Sequence, residues 1–376
     1  MAIYLDNAAT TIIASPVLEV MKDVMDNVHG NPSSIHQAGR KAKTIIEDAR
    51  KRVAAHLKAS TGEVYFTSSA TEANNTAIHC AVRDLSVQRI ISSPTEHPCV
   101  LNTLSSLEHY ASIDIQMLDV DPFGNVDLAQ LDNLLESGPK TLVSLMHGNN
   151  EIGTMLPIHE VSEICQKHGA LFHTDAVQTI GKYDIDLSKT KVNFLSASGH
   201  KIYGPKGIGM LYISNDSIIK PYIHGGGQER QIRSGTENLY GIAGMAAALD
   251  WLVEHRQEHL QHVSGLRTHL KAQAKTLGLD FIYQGNLGDA QLANIVSIGL
   301  PKNDKTDLVM FNLDIHGICA STGSACSSGA EQGSHVMQAI GFPGDRKALR
   351  ISTSLLNTTE EIDKLIGALA TLVRDE

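Results

Sequence analysis

Glu63-Val64-Tyr65-Phe66-Thr67-Ser68-Ser69-Ala70-Thr71-Glu72-Ala73-Asn74-Asn75 decides the fold. A β-branched and aromatic run passes through small hydroxyl residues straight into a helical pattern, which reads as a strand feeding a capped helix. The same unit recurs along the chain. Short apolar runs at Val64-Tyr65-Phe66, Arg89-Ile90-Ile91, 113–120, 142–146, Leu171-Phe172-His173 and Phe194-Leu195 alternate with helical patterns at 72–84, 98–109, 128–135 and 158–168. Strands that alternate with helices pair in parallel through crossover helices, so 61–213 is expected to form an α/β, three-layer domain with a mainly parallel sheet. A ligand of such a sheet belongs at the carboxyl ends of its strands.

Upstream, 34–58 reads as one long helix, with Ser34 as its N-cap and Ile45, Ile46, Ala49, Val53 and Leu57 at helical spacing. From Gly241 the pattern becomes a long helix and then smaller mixed segments at 294–299, 305–316, 318–321, 334–341 and 348–352, closed by a helix from Thr359. These predict a second, smaller α+β domain. The expected division is 12–255 for the large domain, and 1–11 with 256–376 for the small one. The stretch of about 321–333, dominated by Ser, Gly and Ala, is expected to be a mobile loop within the latter.

With 376 residues and 42% hydrophobic content, the chain buries a core large enough for two domains. A net charge of −10 and the lack of any Lys/Arg-rich run argue against nucleic acid as a primary ligand. Residues 1–11 carry Asp6 and lack the basic and apolar regions of a secretory signal. The most apolar stretch, 241–253, is broken by Asp250 and too short to span a bilayer, so a cytoplasmic protein without a membrane partner is expected. Five cysteines form no Cys-x-x-Cys pair and predict no disulfide framework; Cys80 and Cys165 sit in apolar helical patterns and read as small buried hydrophobes.

Chemistry concentrates where strands end. In Ser196-Ala197-Ser198-Gly199-His200-Lys201-Ile202-Tyr203-Gly204-Pro205-Lys206 a lysine follows an apolar run among small residues. Burial drives a lysine towards its neutral, nucleophilic form, which suits a Schiff base with the aldehyde of pyridoxal phosphate; the alternative is a surface lysine in a Gly-rich turn. The helix opened by Ser68–Thr71 suits a phosphate, or is an ordinary Ser/Thr cap. Asp175, ending the strand in Phe172-His173-Thr174-Asp175-Ala176-Val177-Gln178, needs a cationic partner: a protonated pyridine nitrogen, an arginine, or the next helix's N-terminus. Gln178 is placed to donate to a ring hydroxyl. His97, in Thr95-Glu96-His97-Pro98, is placed to stack on such a ring and shuttle protons, although the chain has 18 histidines. Asn150 follows another strand and suits a substrate carboxylate.

Cys326 lies in Ser321-Thr322-Gly323-Ser324-Ala325-Cys326-Ser327-Ser328-Gly329-Ala330, where there is almost no bulk to pack, which favours a reactive thiolate over an incidental free thiol. Arg350, inside the apolar pattern Ala348-Leu349-Arg350-Ile351-Ser352, fits an amino-acid carboxylate in bidentate fashion or else a structural salt bridge. His255-Arg256-Gln257-Glu258-His259 matches an inverted zinc-protease pattern, but its charge-rich helix reads as a solvated face rather than a metal site.

In this order the motifs resemble the pyridoxal-phosphate-dependent cysteine desulfurases, of the aminotransferase class-V group of fold-type-I enzymes. The match begins with Tyr4-Leu5-Asp6-Asn7-Ala8-Ala9-Thr10-Thr11. It passes through Ala70-Thr71-Glu72, Thr95-Glu96-His97, Asn149-Asn150-Glu151-Ile152-Gly153, the lysine segment and Arg233-Ser234-Gly235-Thr236, and reaches Gly323-Ser324-Ala325-Cys326. The resemblance implies that Lys201 carries the cofactor, that His97 stacks on it, and that Asp175 and Gln178 hold its ring. Ala70, Thr71, Ser198 and His200 would contact the phosphate, and Thr236 would reach the phosphate of the neighbouring subunit in a homodimer. Asn150 would face both cofactor and substrate, and with Arg350 hold the carboxylate of L-cysteine.

Cys326 would take the sulfur and pass it to an acceptor protein such as an iron–sulfur scaffold, or towards tRNA thiolation. No resident metal is implied, beyond transient ligation of an iron–sulfur cluster by Cys326. A selenocysteine lyase or an aminotransferase of the same class is the alternative. Two departures from the family's pattern stand out: Ser68-Ser69-Ala70-Thr71 replaces Ser-Gly-Ala-Thr, and Ser352-Thr353-Ser354 replaces Ser-x-Gly.

Overall fold

The computed structural model describes residues 2–286, 288–322 and 333–374, the side chains of Tyr110 and Asp289 apart. The elements of the first part are β1 (Ile3–Tyr4), α1 (Ser15–Asn27), α2 (Gln37–Leu57), β2 (Val64–Thr67), α3 (Ala70–Leu85), β3 (Arg89–Ser92), α4 (Pro98–Tyr110) and β4 (Asp114–Met117). There follow α5 (Leu128–Leu135), β5 (Thr141–Ser144), α6 (Ile158–His168), β6 (Leu171–Asp175), β7 (Phe194–Ser198), β8 (Gly209–Ile213) and α7 (Leu239–Glu254). The rest comprises α8 (Arg256–Thr276), β9 (Ile282–Gln284), β10 (Ile295–Pro301), α9 (Asp304–Asp307), α10 (Val309–Ile315), β11 (Ile318–Cys319), α11 (His335–Ala339), β12 (Arg346–Ser352) and α12 (Thr359–Val373).

A seven-stranded sheet in the order β2-β8-β7-β6-β5-β3-β4 forms the centre. The pairs from β4 to β7 are parallel, and β8 runs antiparallel to both of its neighbours. Every residue of β3, β5, β7 and β8 is buried, the condition under which parallel strands read as continuous apolar runs. The edge strand β4 instead carries Asp114 and Gln116, polar side chains that discourage further pairing. One face is covered by α1, α2, α5, α6 and α7, through residues such as Val17, Ala42, Ile46, Leu131, Val161 and Ala246. The other is covered by α3 and α4, through Ala73, Ala77, Cys80, Val100 and Leu104. The expected α/β three-layer architecture is therefore present, and Cys80 and Cys165 are buried within it as anticipated.

A second core lies beyond the sheet. There β12-β10-β9 form a three-stranded antiparallel sheet, and α8 and α12 pack on it through Leu266, Leu270, Ile362, Leu365 and Leu369. Ile3 and Leu5, from the start of the chain, share this core, and β1 pairs in parallel with β11.

Three sequence expectations are corrected. The helix predicted from Ser34 starts at Gln37, because the chain still turns at Asn31–Ser34, where the Ser34 amide donates to the Asn31 carbonyl (2.9 Å); the His36 Nδ1 accepts from the Gly39 amide (3.2 Å) as the cap. The long helix from Gly241 divides at His255, so that α7 packs in the large core and α8 in the small one. His259 does not lie on a solvated face: it is buried edge-on against Tyr203, with ring centroids 5.9 Å apart. Burial pushes its imidazole down to about 3, so it is neutral. Among the described residues no cluster of metal-ligating side chains forms, there or elsewhere.

One buried ion pair ties helix, sheet and the return loop together. Arg50 of α2 donates through Nη1 and Nη2 to both carboxylate oxygens of Glu229 (2.7 and 2.9 Å), and Glu229 also accepts from the Phe66 amide of β2 (2.8 Å). Removing one partner strands the other charge without solvent. Glu229→Ala is therefore expected to destabilise the fold by about 3–5 kcal/mol, read as a lower denaturation midpoint in urea with catalytic groups untouched.

Candidate active site

The carboxyl ends of β2, β3, β5, β6 and β7 open onto one cleft of about 590 Å³. Its walls include Ala70, Thr71, His97, Asn150, Asp175, Gln178, Ser198, His200, Lys201 and Arg350. Five loops separated by long stretches of sequence thus converge, as the parallel sheet requires. Two predicted site residues are not among these walls. Thr236 is exposed and does not line the cleft, and Cys326 lies outside the described residues.

The start of α3 forms the floor. Ser69 caps it, its Oγ accepting from the Glu72 amide (3.3 Å), while Ser68 donates through N and Oγ to Glu72 Oε2 (2.9 and 2.6 Å). Glu72 is held in turn by Arg233 (2.9 Å), and hydrogen bonds from Arg233 and Ser68 outweigh burial, keeping its carboxyl below the usual range. The helix begins this close to the sheet because residue 209 is glycine: a Cβ there would fall 2.5 Å from the Ser69 carbonyl carbon and 2.9 Å from the Ala70 nitrogen. The Ala70–Thr71 end of a 16-residue helix, with Ser198 and His200 beside it, is a favourable seat for an anion. The serine at position 69 thus builds the turn by capping rather than by backbone freedom.

Asp175 ends β6 with its carboxylate oriented from two sides. Oδ1 accepts from the Val177 amide (3.0 Å) and Oδ2 from Asn74 Nδ2 (2.7 Å). Since the Asn74 amide faces the carboxylate, its Oδ1 faces His173 Nε2 (3.0 Å), which must then carry the proton. His173 Nδ1 is left to accept from Ser144 Oγ (2.8 Å). Complete burial pushes this imidazole down to about 3. A neutral relay of Ser144, His173 and Asn74 therefore holds one anion, and that anion suits a cation in the cleft.

Lys201 leaves the end of β7 and donates through Nζ to the carbonyls of Ala8 (2.5 Å) and Ala9 (2.7 Å). The Ala8 carbonyl also accepts from Gln178 Nε2 (3.0 Å). The donor role read for Gln178 keeps its second amide hydrogen. One of its amide hydrogens is taken by the backbone, while its buried Oε1 has no partner among the described residues and calls for a donor from the cleft.

His97 caps α4, its Nδ1 accepting from the Cys99 amide (3.1 Å), so in the neutral ring the proton sits on Nε2. Burial holds this imidazole below its ordinary range, with Asp175 opposing and Lys201 and His335 reinforcing the shift. His200 is likewise lowered to about 4 by burial and then by Lys201 and Lys206. Cys99 lines the cleft as well, but burial pushes its thiol up to about 12, which removes it as a thiolate nucleophile.

On the facing wall Arg350 of β12 is buried, pairs through Nη2 with Asp6 (2.7 Å) and donates through Nη1 to the Asn150 carbonyl (2.8 Å). The salt bridge left open in the sequence exists, and it aims the guanidinium into the cleft rather than away from it. After the undescribed segment the chain resumes in the same cleft. Ser334 Oγ donates to Glu151 Oε2 (2.5 Å), and His335 Nε2 donates to the Glu96 carbonyl (2.8 Å). Asn74, His173 and Ser334 went unnoticed in the sequence. For His173 a signal existed: two residues before Asp175, it faces the same side of β6.

Comparison with known proteins agrees with this geometry. The family model described as aminotransferase class-V matches residues 3–365. A protein of Dictyoglomus turgidum named cysteine desulfurase IscS is 38% identical over 375 residues, covering 99% of this chain and 94% of its own. A solved structure described as a NifS-like protein superposes with a TM-score of 0.90 at 37% identity, covering 99% of each chain. Another, titled SspA in complex with cysteine, has a TM-score of 0.79 at 34% identity and covers 93% of this chain and 98% of its own. Matches of this extent leave no part of the fold outside the likeness, and this chain belongs to the aminotransferase class-V family, within its pyridoxal-phosphate-dependent cysteine desulfurases.

Proposed function

We propose that this protein is a cysteine desulfurase that converts L-cysteine to L-alanine and leaves the sulfur as a persulfide on Cys326. The observation that carries this reading is the meeting, in one cleft, of an amine (Lys201), an oriented carboxylate (Asp175) and a guanidinium (Arg350). Pyridoxal phosphate, when bound, supplies an aldehyde carbon for an amine and an electron-poor ring that accepts the electron pair released at the substrate's α-carbon.

The unmet demands of the cleft suit that group. The α3 N-terminus with Thr71, Ser198 and His200 would hold the phosphate, and Asp175 would face the protonated ring nitrogen. Gln178 Oε1 would accept from the ring side, and His97, neutral with its proton on Nε2, would lie against the ring. Lys201 would leave the Ala8 and Ala9 carbonyls to bind the aldehyde and, once released by substrate, take the α-proton on Nζ. Arg350, with one edge fixed by Asp6, and Asn150 would hold the substrate carboxylate. The Cys326 thiolate would attack the substrate sulfur, forming the S–S bond as the carbon–sulfur bond breaks, with that bond's electron pair staying on the β-carbon, which takes a proton to become the methyl group of L-alanine.

A homodimer in which Thr236 reaches the neighbouring subunit's phosphate fits its exposure here and its absence from the walls of its own cleft. The acceptor would be a sulfur-carrying protein such as an iron–sulfur scaffold. A cytoplasmic location suits a reaction that needs reduced thiols, and the four described cysteines are all free. The division into 12–255 and 1–11 with 256–376 is supported by Ile3 and Leu5 sharing a core with residues 266–372.

Cys326→Ala is expected to retain the cofactor's near-visible absorbance and to bind L-cysteine, yet to release no sulfide under reductant; full turnover would reject the nucleophile assignment. Asn74→Ala removes a hydrogen bond to a charged group, about 1.5–3 kcal/mol, and is expected to weaken cofactor retention about ten- to a hundredfold. Dialysis followed by absorbance checks this.

A further inference from the structure

At the opposite end of the sheet, the amino ends of β3, β5 and β6 border a second cleft of about 270 Å³. Arg89, the first residue of β3, is only 6% exposed, and it lines this cleft. Its Nε donates to Thr141 Oγ1 (2.9 Å), and Thr141 is fixed in turn by donating to the Pro139 carbonyl (2.9 Å). Neither Nη1 nor Nη2 meets a protein acceptor, and no carboxylate pairs with this cation among the described residues.

Arg50, buried to a similar depth, has both Nη atoms paired with Glu229, which shows how this chain pairs a buried guanidinium when no external partner is needed. The loop above Arg89 is shaped around it. Gly138 has φ +121, and a Cβ there would fall 2.8 Å from Nη1, so the fork lies directly beneath a residue without a side chain. Lys140 adds a second positive charge to the lining. His168 is already committed, with Nε2 against Asp132 (2.7 Å), and Glu136, the carboxylate in the lining, makes no ion pair with Arg89.

We propose that this cleft is an anion site for a tetrahedral oxyanion, either free phosphate or the phosphate of a phosphomonoester. The Arg89 fork would grip two of its oxygens, and Lys140 would balance the second negative charge. The Nη edge of the guanidinium opens onto the cleft, where an oxyanion can complete its hydrogen bonding, and two positive charges favour a dianion over a single carboxylate. The site lies across the sheet from Lys201 and shares no residue with the cleft there.

The test uses the cofactor-loaded enzyme, in which the active-site phosphate seat is filled, and follows radiolabelled inorganic phosphate by equilibrium dialysis at constant ionic strength. Saturable uptake is expected, displaced by sulfate but not by acetate. Displacement by glycerol phosphate would identify an esterified ligand, and its failure a free ion. Arg89→Gln is expected to weaken binding about tenfold or more, the loss of one charge-assisted fork, with desulfurase turnover unchanged. Should Arg89→Gln not fold, the exposed Lys140→Glu decides: weakened uptake supports the site, and unchanged uptake overturns it. Absence of saturable uptake in the parent enzyme, or equal uptake in a folded Arg89→Gln, also overturns it.

Discussion

The segment from Tyr4 to Thr11 holds the two cores and the active site to one another, through its backbone and through the side chains of Asp6, Asn7 and Thr11. The Ala8 carbonyl accepts from both Lys201 and Gln178, the Ala9 carbonyl from Lys201, and the Thr11 amide and hydroxyl donate to the His200 carbonyl. On its other side, Asn7 donates to the Ser352 carbonyl, the Ala8 amide to Ser352 Oγ, and Asp6 receives Arg350. Lysine, glutamine and arginine, one set from the large sheet and one from the small, are thus positioned against one short strap. Small residues at positions 8 and 9 suit this, because a bulky side chain would take up space in the cleft that both alanines line.

Electrostatics in the cleft follows from that enclosure. Burial keeps His97, His173 and His200 neutral, so the histidines serve as oriented donors and acceptors rather than as charges. Charged side chains in and beside the cleft are held: Asp175 by Asn74 and the Val177 amide, Arg350 by Asp6, Glu72 by Arg233, and Lys201 by the Ala8 and Ala9 carbonyls. Among the cleft's described side chains Cys99 is the thiol at hand, and its upward shift keeps it protonated. Cys99 is thus unsuited to the role proposed for Cys326.

The sheet with its helices and many of the residues that line the cleft were legible in the sequence, for different reasons. Helices 128–135 and 158–168 match their predicted limits because each carries a clean apolar stripe and ends where the sheet-forming pattern resumes. The start of α2 and the break at His255 were not legible, since both are set by which core a turn of helix packs against. Asn74 was invisible because its partners, Asp175 and His173, lie 101 and 99 residues away. Arg89 read only as the first residue of a short apolar run, because the lack of an acidic partner among the described residues is a fact of three dimensions.

Alternating periodicity and residue chemistry by themselves determined an α/β sheet whose strand ends carry Lys201, Asp175, His97 and Asn150, since local pattern and side-chain type are properties of the chain. Tertiary structure alone decided that Gln178 offers an accepting oxygen, that Arg350 is braced by Asp6, that His259 is buried and that Arg89 is left without a carboxylate among the described residues. Each of these depends on the direction of a hydrogen bond or the depth of burial between segments far apart in sequence, and no local pattern encodes either.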